Sequence, residues 1–466
     1  MKDRETQAMT KANTNSAWAK DRAHVLHPYT DFSTFQEEGS QVISGAEGMY
    51  VTDTEGRKLL DGIAGLWCVN IGHGRREMAD AISDQVLQMQ YYNPFGHSTN
   101  IPAAELGHWL AAHAPGDLNH VYYTCGGSTA NDAAIRLVHY YFTMKGLHRK
   151  KKIISRNDGY HGATYIAAEL TGIQATKNCF DRVGENFIHH VSAANMFAKP
   201  DAMTEAAYCD HLVAEFEARI HQLGPDNCAA FIAEPVMGAG GVLIAPDGYH
   251  RRMWEVCKRH GMLYIADEVV TAFGRLGEWF SSEKIFGYQP DILVGAKGIT
   301  SGYVPLGVTL ISDEIYDVIS RPQCEGGVFS MGLTYFGHPV SCAAALKNIE
   351  IIEREGLLAN ARAVGDHFQK SAESLAASPI VGDVRGMGLM MAVDLMADKA
   401  TKTPFEVGVG AGHKVFRKCV ERNLIVRPVG DRIVLSPPLV INTAETDQIV
   451  SILSEAIGEV ASEVGV

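Results

Sequence analysis

Between Val121 and Asp313 the chain alternates short β-rich runs with amphipathic helical stretches. The runs are VYYTC, KKIISR, AAFIAEPV, MLYIADEVV, DILVGA and GVTLIS; the helices include TANDAAIRLVHYYF and GYHRRMWEVCKRHG. Several runs are apolar on both faces, and a strand buries two such faces only when helices cover it above and below. That requirement leads to an α/β layer fold around a mostly parallel sheet. After about His338 the texture changes. A long helical region, PVSCAAALKNIEIIEREGLLANARAVGDHFQKSAESLA, precedes the strand candidates GLMMAVDL, LIVRPV and RIVLS, which predicts a smaller α+β domain. GMYVTDTEGRKLLD predicts a hairpin around Thr54-Glu55-Gly56 that joins that smaller domain.

Composition narrows the function classes. A chain of 466 residues with 46% hydrophobic content supports more than one domain. A net charge of -13 offers no general basic footprint for nucleic acid. No uninterrupted apolar stretch is long enough to span a bilayer. The N-terminal MKDRETQAMTKANTNSAW is polar and mixed in charge, without the apolar segment of a secretory signal. It is expected to be a loose arm on a cytoplasmic protein. The nine cysteines show no C-x-x-C pair, so reduced thiols are expected rather than a disulfide framework or a metal site.

In open α/β sheets ligands sit beyond the carboxyl ends of the strands. Read that way, the runs deliver Gly126-Gly127-Ser128-Thr129, then Tyr160-His161-Gly162, then Glu234, then Asp267, then Lys297 to one rim. Each has a plain reading taken alone. Lys297 reads as a lysine packed along its stem with a wet head. Asp267 has Arg275 within reach as an ion-pair partner, while Asp267 and Glu268 point to opposite faces and make a poor metal pair. Ser128 or Thr129 can serve as a helix N-cap, and Tyr160 as a core aromatic. Together they read differently. A lysine in a poorly hydrated site becomes a neutral amine able to form a Schiff base. A buried acid needs a cation, and a pyridinium N–H is one. Free N–H groups at a helix start bind a phosphate. A single pyridoxal phosphate site accounts for all four parts.

With these residues in view, the chain resembles the class III aminotransferases, enzymes of fold-type I, from about Thr34 to Ile457. The carrying segments are DGIAGLWCVNIGHG, GGSTAND, NDGYHGAT, AEPVMGAGG, IADEVVTAFGRLG, DILVGAKGIT, LTYFGHPVSCAAAL and RPVGDRIVLSPPL. GLWCVN and RPVGDRIVLSPP look closest to the amine:pyruvate, or ω-amino acid:pyruvate, branch. The resemblance implies a large domain with a mostly parallel seven-stranded sheet between helices, and a small α+β domain built from both chain ends. The expected partition is an arm over 1–20, small-domain residues 21–70, a large domain over 71–337, and the rest of the small domain over 338–466. It implies pyridoxal 5′-phosphate held as a Schiff base on Lys297, which later moves protons, with Asp267 on the pyridine nitrogen. Tyr160 stacks on the ring, Val269 covers its other face, Gly127 and Ser128 bind phosphate, and Glu234 lies near the ring. Thr334 reaches the phosphate from a second subunit, so a homodimer with shared sites, or a tetramer of two such dimers, is expected. Arg427 takes the α-carboxylate of pyruvate or alanine, while Trp67, Phe95 and Tyr160 wall the amine pocket. Preference for (S) amines is implied as well. Other readings are a taurine, GABA or ornithine type, some with 2-oxoglutarate as acceptor, or a non-catalytic protein of this fold. One departure stands out: the family's usual S-G-S-E-A-N is here Gly126-Gly127-Ser128-Thr129-Ala130-Asn131. A hydroxyl and a carboxylate are lost, and the backbone donors remain.

Overall fold

The runs that are apolar on both faces lie where that pattern demands, in the middle of a sheet. The computed structural model describes residues 16–321 and 328–465. Its largest sheet has seven strands: β1 (His120–Thr124), β2 (Lys152–Arg156), β3 (Ile188–Val191), β4 (Cys228–Ala233), β5 (Leu263–Asp267), β6 (Ile292–Gly295) and β7 (Gly307–Ile311). Their spatial order is β1-β7-β6-β5-β4-β2-β3. From β3 to β6 neighbours run parallel, while β7 is antiparallel to both β6 and β1. β4 and β5 are buried at every position.

Side chains alternate between the two faces of each strand. Phe231, Tyr264 and Leu293 pack with Phe216, Met253 and Val256, from the helices Glu205–Leu223 and Tyr249–Arg259. Ile232, Ile265 and Val294 pack on the opposite face with Ala130, Ala134 and Val138 of the helix Gly127–Met144. β3 escapes the apolar pattern because its centre is His189-His190, half-buried at the sheet edge.

The two chain ends share smaller sheets. Ile43–Glu47, Tyr50–Asp53 and Lys58–Asp61 form an antiparallel set, including the predicted hairpin, and Leu424–Ile425 adds to it in parallel. Val381–Met387, Met390–Leu395, Arg432–Leu435 and Arg427–Val429 form a second, antiparallel sheet. LIVRPV is therefore split between two sheets. Pro428, which has no N–H to donate, falls on an edge strand, where that lack is tolerated. The long helical region is also split, into Pro339–Arg354 and Leu357–Ala372, at Gly356 with φ 64°. Residues 1–15 of the expected arm lie outside the described residues, and Ala17–His24 is a helix capped by Ser16. No helix among the described residues is long and apolar enough to cross a membrane.

Two buried cations tie these parts together. Arg275 donates to Asn70 Oδ1 at 2.8 Å and to the Pro437 carbonyl, joining both chain ends to the large sheet. Burial pushes its guanidinium down to about 10. Lys150, 8% exposed, gathers the N-terminal ends of three strands: its Nζ donates to the carbonyls of Cys228, His260 and Gly261 at 3.0, 3.1 and 2.9 Å. Lys150→Met keeps the stem and leaves three carbonyls without their donor. It is expected to lower stability by about 3 kcal/mol, read as a lower urea midpoint at unchanged m-value.

Candidate active site

Alternation along β5 turns Asp267 to the same face as Ile265, towards the helix Gly127–Met144. Glu268 turns away and accepts from the N–H groups of Ser281 and Ser282 at 2.7 and 2.9 Å. The two acids therefore part company, as strand geometry requires. Asp267 is 3% exposed. Its Oδ2 accepts from Asn131 Nδ2 at 2.8 Å and from His161 Nδ1–H at 2.7 Å, and its Oδ1 accepts from the Val269 N–H at 3.2 Å. Arg275 points elsewhere, and no lysine or arginine among the described residues makes a salt bridge with Asp267.

One strand over, β6 ends and the chain turns sharply at Lys297, whose φ of 50° is unusual for a residue with a side chain. Asn348 Nδ2 holds the turn by donating to the carbonyls of Gly298 and Ile299 at 2.9 and 3.0 Å. Gly298 has no room for a side chain, since a Cβ there would sit 2.4 Å from Asn70 Nδ2. Burial lowers the Lys297 ammonium, while the carboxylates of Asp267 and Glu234 oppose that shift.

The helix Gly127–Met144 starts without a side-chain cap. The Thr129 hydroxyl donates back to the Gly126 carbonyl at 2.9 Å, and Ser128 Oγ accepts from the Ala163 N–H at 3.0 Å. Neither hydroxyl serves as the N-cap that the sequence allows. The N–H groups of Gly127 and Ser128 are left at the wall of a cavity of about 740 Å³. Val269 lies against Gly127, where a Cβ would come within 3.0 Å of its Cγ2.

Tyr160 and Glu234 line the same cavity. Glu234 accepts from the N–H groups of Tyr160 and Gly238, both at 2.9 Å, and so clamps two wall loops. Burial raises its carboxyl. Burial, and a hydrogen bond with Tyr29, raise the Tyr160 phenol. Trp67 is 3% exposed and lines the cavity from a turn with φ 64°. Arg427, half-buried on its edge strand, also lines it, and its guanidinium makes no hydrogen bond or ion pair among the described residues. Burial lowers its guanidinium.

Two expected residues are not brought to this cavity within one chain. Phe95 and Thr334 lie together on an exposed patch: Phe95 packs over Gly332, and Tyr91 Oη donates to the Thr334 carbonyl at 3.0 Å. Four residues reach the site with no role assigned from sequence. Asn131 is one helical turn after Gly127, so it shares that face, and this spacing is the signal that finds it. His161 follows Tyr160 directly. Tyr29 and Cys68 arrive through tertiary contacts that local sequence does not announce.

The donor set fits pyridoxal phosphate. It offers an uncapped helix start for the phosphate, a buried carboxylate without a cationic partner for the ring nitrogen, Tyr160 and Val269 for the ring, and an amine of lowered basicity for the aldehyde. The comparisons agree. The family described as "Aminotransferase class-III" matches residues 34–457. The putrescine–pyruvate aminotransferase of Pseudomonas aeruginosa is 38% identical over 457 residues, covering 98% of this chain and 99% of that protein. An (S)-enantioselective ω-transaminase from Thermomicrobium roseum is 41% identical with a TM-score of 0.92, covering 95% and 98% of the two chains. The ω-transaminase of Pseudomonas jessenii, solved in complex with PMP, is 36% identical with a TM-score of 0.94, covering 97% and 99%. The chain belongs to the class III aminotransferases, and it is a pyridoxal-phosphate-dependent enzyme of the ω-transaminase type.

Proposed function

We propose that this enzyme moves the amino group of a primary amine or ω-amino acid to pyruvate, releasing alanine and an aldehyde or ketone. The observation that carries the acceptor is Arg427, a half-buried guanidinium without a partner among the described residues, set in a cavity wall with Trp67, Tyr29 and Tyr160. A guanidinium fork matches a carboxylate bidentately. The aromatic walls suit the donor's side chain. The relative named for putrescine and pyruvate supports the same pairing.

When bound, pyridoxal phosphate supplies an aldehyde that links to amines and a ring that takes up the electron pair left by proton loss. Lys297 Nζ would hold that aldehyde, and once freed by the donor amine it would act as the base that takes the proton from the donor carbon and as the acid that gives a proton back on the cofactor side of the imine nitrogen. Asp267 would keep the ring nitrogen protonated, and Asn131 and His161 orient that carboxylate. The Gly127 and Ser128 N–H groups bind the phosphate, Tyr160 and Val269 confine the ring, and Glu234 steadies the Tyr160 loop from beside it. The homodimer belongs to this proposal: Thr334 would complete the phosphate site, and Phe95 the amine pocket, of a partner subunit. Their placement together on an exposed patch supports that reading.

Arg427→Ala is expected to raise the KM for pyruvate by about 100-fold, since truncating one half of a desolvated charge pair removes both the attraction and the orientation. The single-turnover reaction with an uncharged amine should change less than about five-fold. Unchanged pyruvate saturation would remove Arg427 from the carboxylate site, and tighter saturation by 2-oxoglutarate than by pyruvate would overturn the acceptor assignment.

A further inference from the structure

We propose that Glu217, His221 and His260 form a second, non-catalytic site that binds a divalent transition-metal ion of zinc's class. Glu217 and His221 lie on one of the helices that cover the sheet face opposite Gly127–Met144, His260 follows the other, and none lines the cofactor cavity. Their donor atoms all fall within 4.8 Å of one another.

The geometry follows from two elements. Glu217 and His221 are four residues apart on the helix Glu205–Leu223, so they share one face. His260 comes immediately after the helix Tyr249–Arg259. Its Nε2–H donates to Glu217 Oε1 at 3.1 Å, and its ring meets that of His221 edge-on, with centroids 5.3 Å apart. A tetrahedral ion with bonds of about 2.0–2.2 Å sets its donors roughly 3.3–3.6 Å apart. The Glu217–His260 pair already sits close to that spacing, and exposed His221 closes the third edge by side-chain rotation.

His260 is held in place by its backbone. Its N–H reaches the carbonyls of Val256 and Cys257, both at 3.2 Å, and its carbonyl takes the Lys150 ammonium. The buried lysine that gathers three strand ends thus also fixes one ligand. Arg259 competes, donating to Glu217 Oε1 at 3.0 Å. Exposed pairs of this kind hold weakly, so a bound dication displaces it. Two imidazoles and one carboxylate suit zinc, nickel or copper and serve magnesium poorly. A bound ion would pin the end of one covering helix to the end of the next.

The test is calorimetric titration of the holoenzyme with zinc chloride in a non-coordinating buffer, with magnesium chloride as comparison, on the wild type, His221→Ala and Glu217→Gln. The expected result is one zinc site per chain in the wild type, weakened at least about 10-fold in both variants, with no magnesium heat. Circular dichroism and the cofactor absorbance confirm that each variant is folded and loaded. The proposal falls if the wild type shows no such site, if either variant binds zinc as the wild type does, or if magnesium binds equally well.

Discussion

Lys297→Ala is expected to abolish the absorbance band of the lysine-linked cofactor and to lower amino-transfer turnover by about 10⁴-fold. Two losses combine. In the proposed mechanism the amine that would hold the aldehyde between turnovers is gone, so the cofactor would be retained by its phosphate and ring contacts alone. The group that moves the proton is gone too, and a positioned acid–base group contributes about 10²–10⁴-fold by itself. The site leaves no substitute. Asp267 is engaged by Asn131, His161 and Val269, and Glu234 by the N–H groups of Tyr160 and Gly238. Lysine is suited to the work because burial lowers its basicity at a turn that the rest of the fold holds in place. Lys297→Arg serves as a control, since it restores a cation that forms no such link and should be nearly as inactive. A variant that retains the wild-type band would show that the cofactor is held elsewhere.

Asp267→Asn is expected to lower turnover by about 10²–10³-fold, comparable to deleting one preorganised electrostatic partner in other active sites. The amide oxygen would settle against Asn131 Nδ2 and His161 Nδ1–H, which require an acceptor. That places the amide NH₂ beside the Val269 N–H, donor against donor. In the proposed mechanism the ring nitrogen would then lose the negative charge that favours its protonated form, and the electron pair released by proton removal would have a poorer destination. A shift in the pH dependence of the cofactor absorbance should accompany the loss of rate. Full turnover with an unchanged spectrum would end the role assigned to this carboxylate.

Both residues stand at strand ends that the sequence marks clearly. Six of the seven strands are legible as β-rich runs, the central ones because a strand covered on both faces has no position where a polar residue is free of cost. β3 is not legible, because an edge strand beside a loop accommodates His189 and His190. LIVRPV reads as one strand and serves two sheets, because the choice of partner for each half is a tertiary matter. In the site, the lysine, the acid and the glycine-led helix start follow from local pattern together with the rule that ligands gather at strand ends.

Sequence by itself determined the layer fold, the rim on which the chemistry gathers and the residue types able to hold a pyridine ring and a phosphate. These follow from hydrophobic periodicity and from the price of burying charge, both of which act locally along the chain. Tertiary structure alone decided which oxygen of Asp267 meets His161 and Asn131, that Arg275 ties the chain ends rather than pairing with that acid, and that Tyr29 joins Tyr160 at the cavity. It also placed Phe95 and Thr334 outside their own chain's cavity. Contacts between residues far apart in sequence depend on side-chain directions set only once the sheets and helices have packed, and no spacing along the chain encodes those directions.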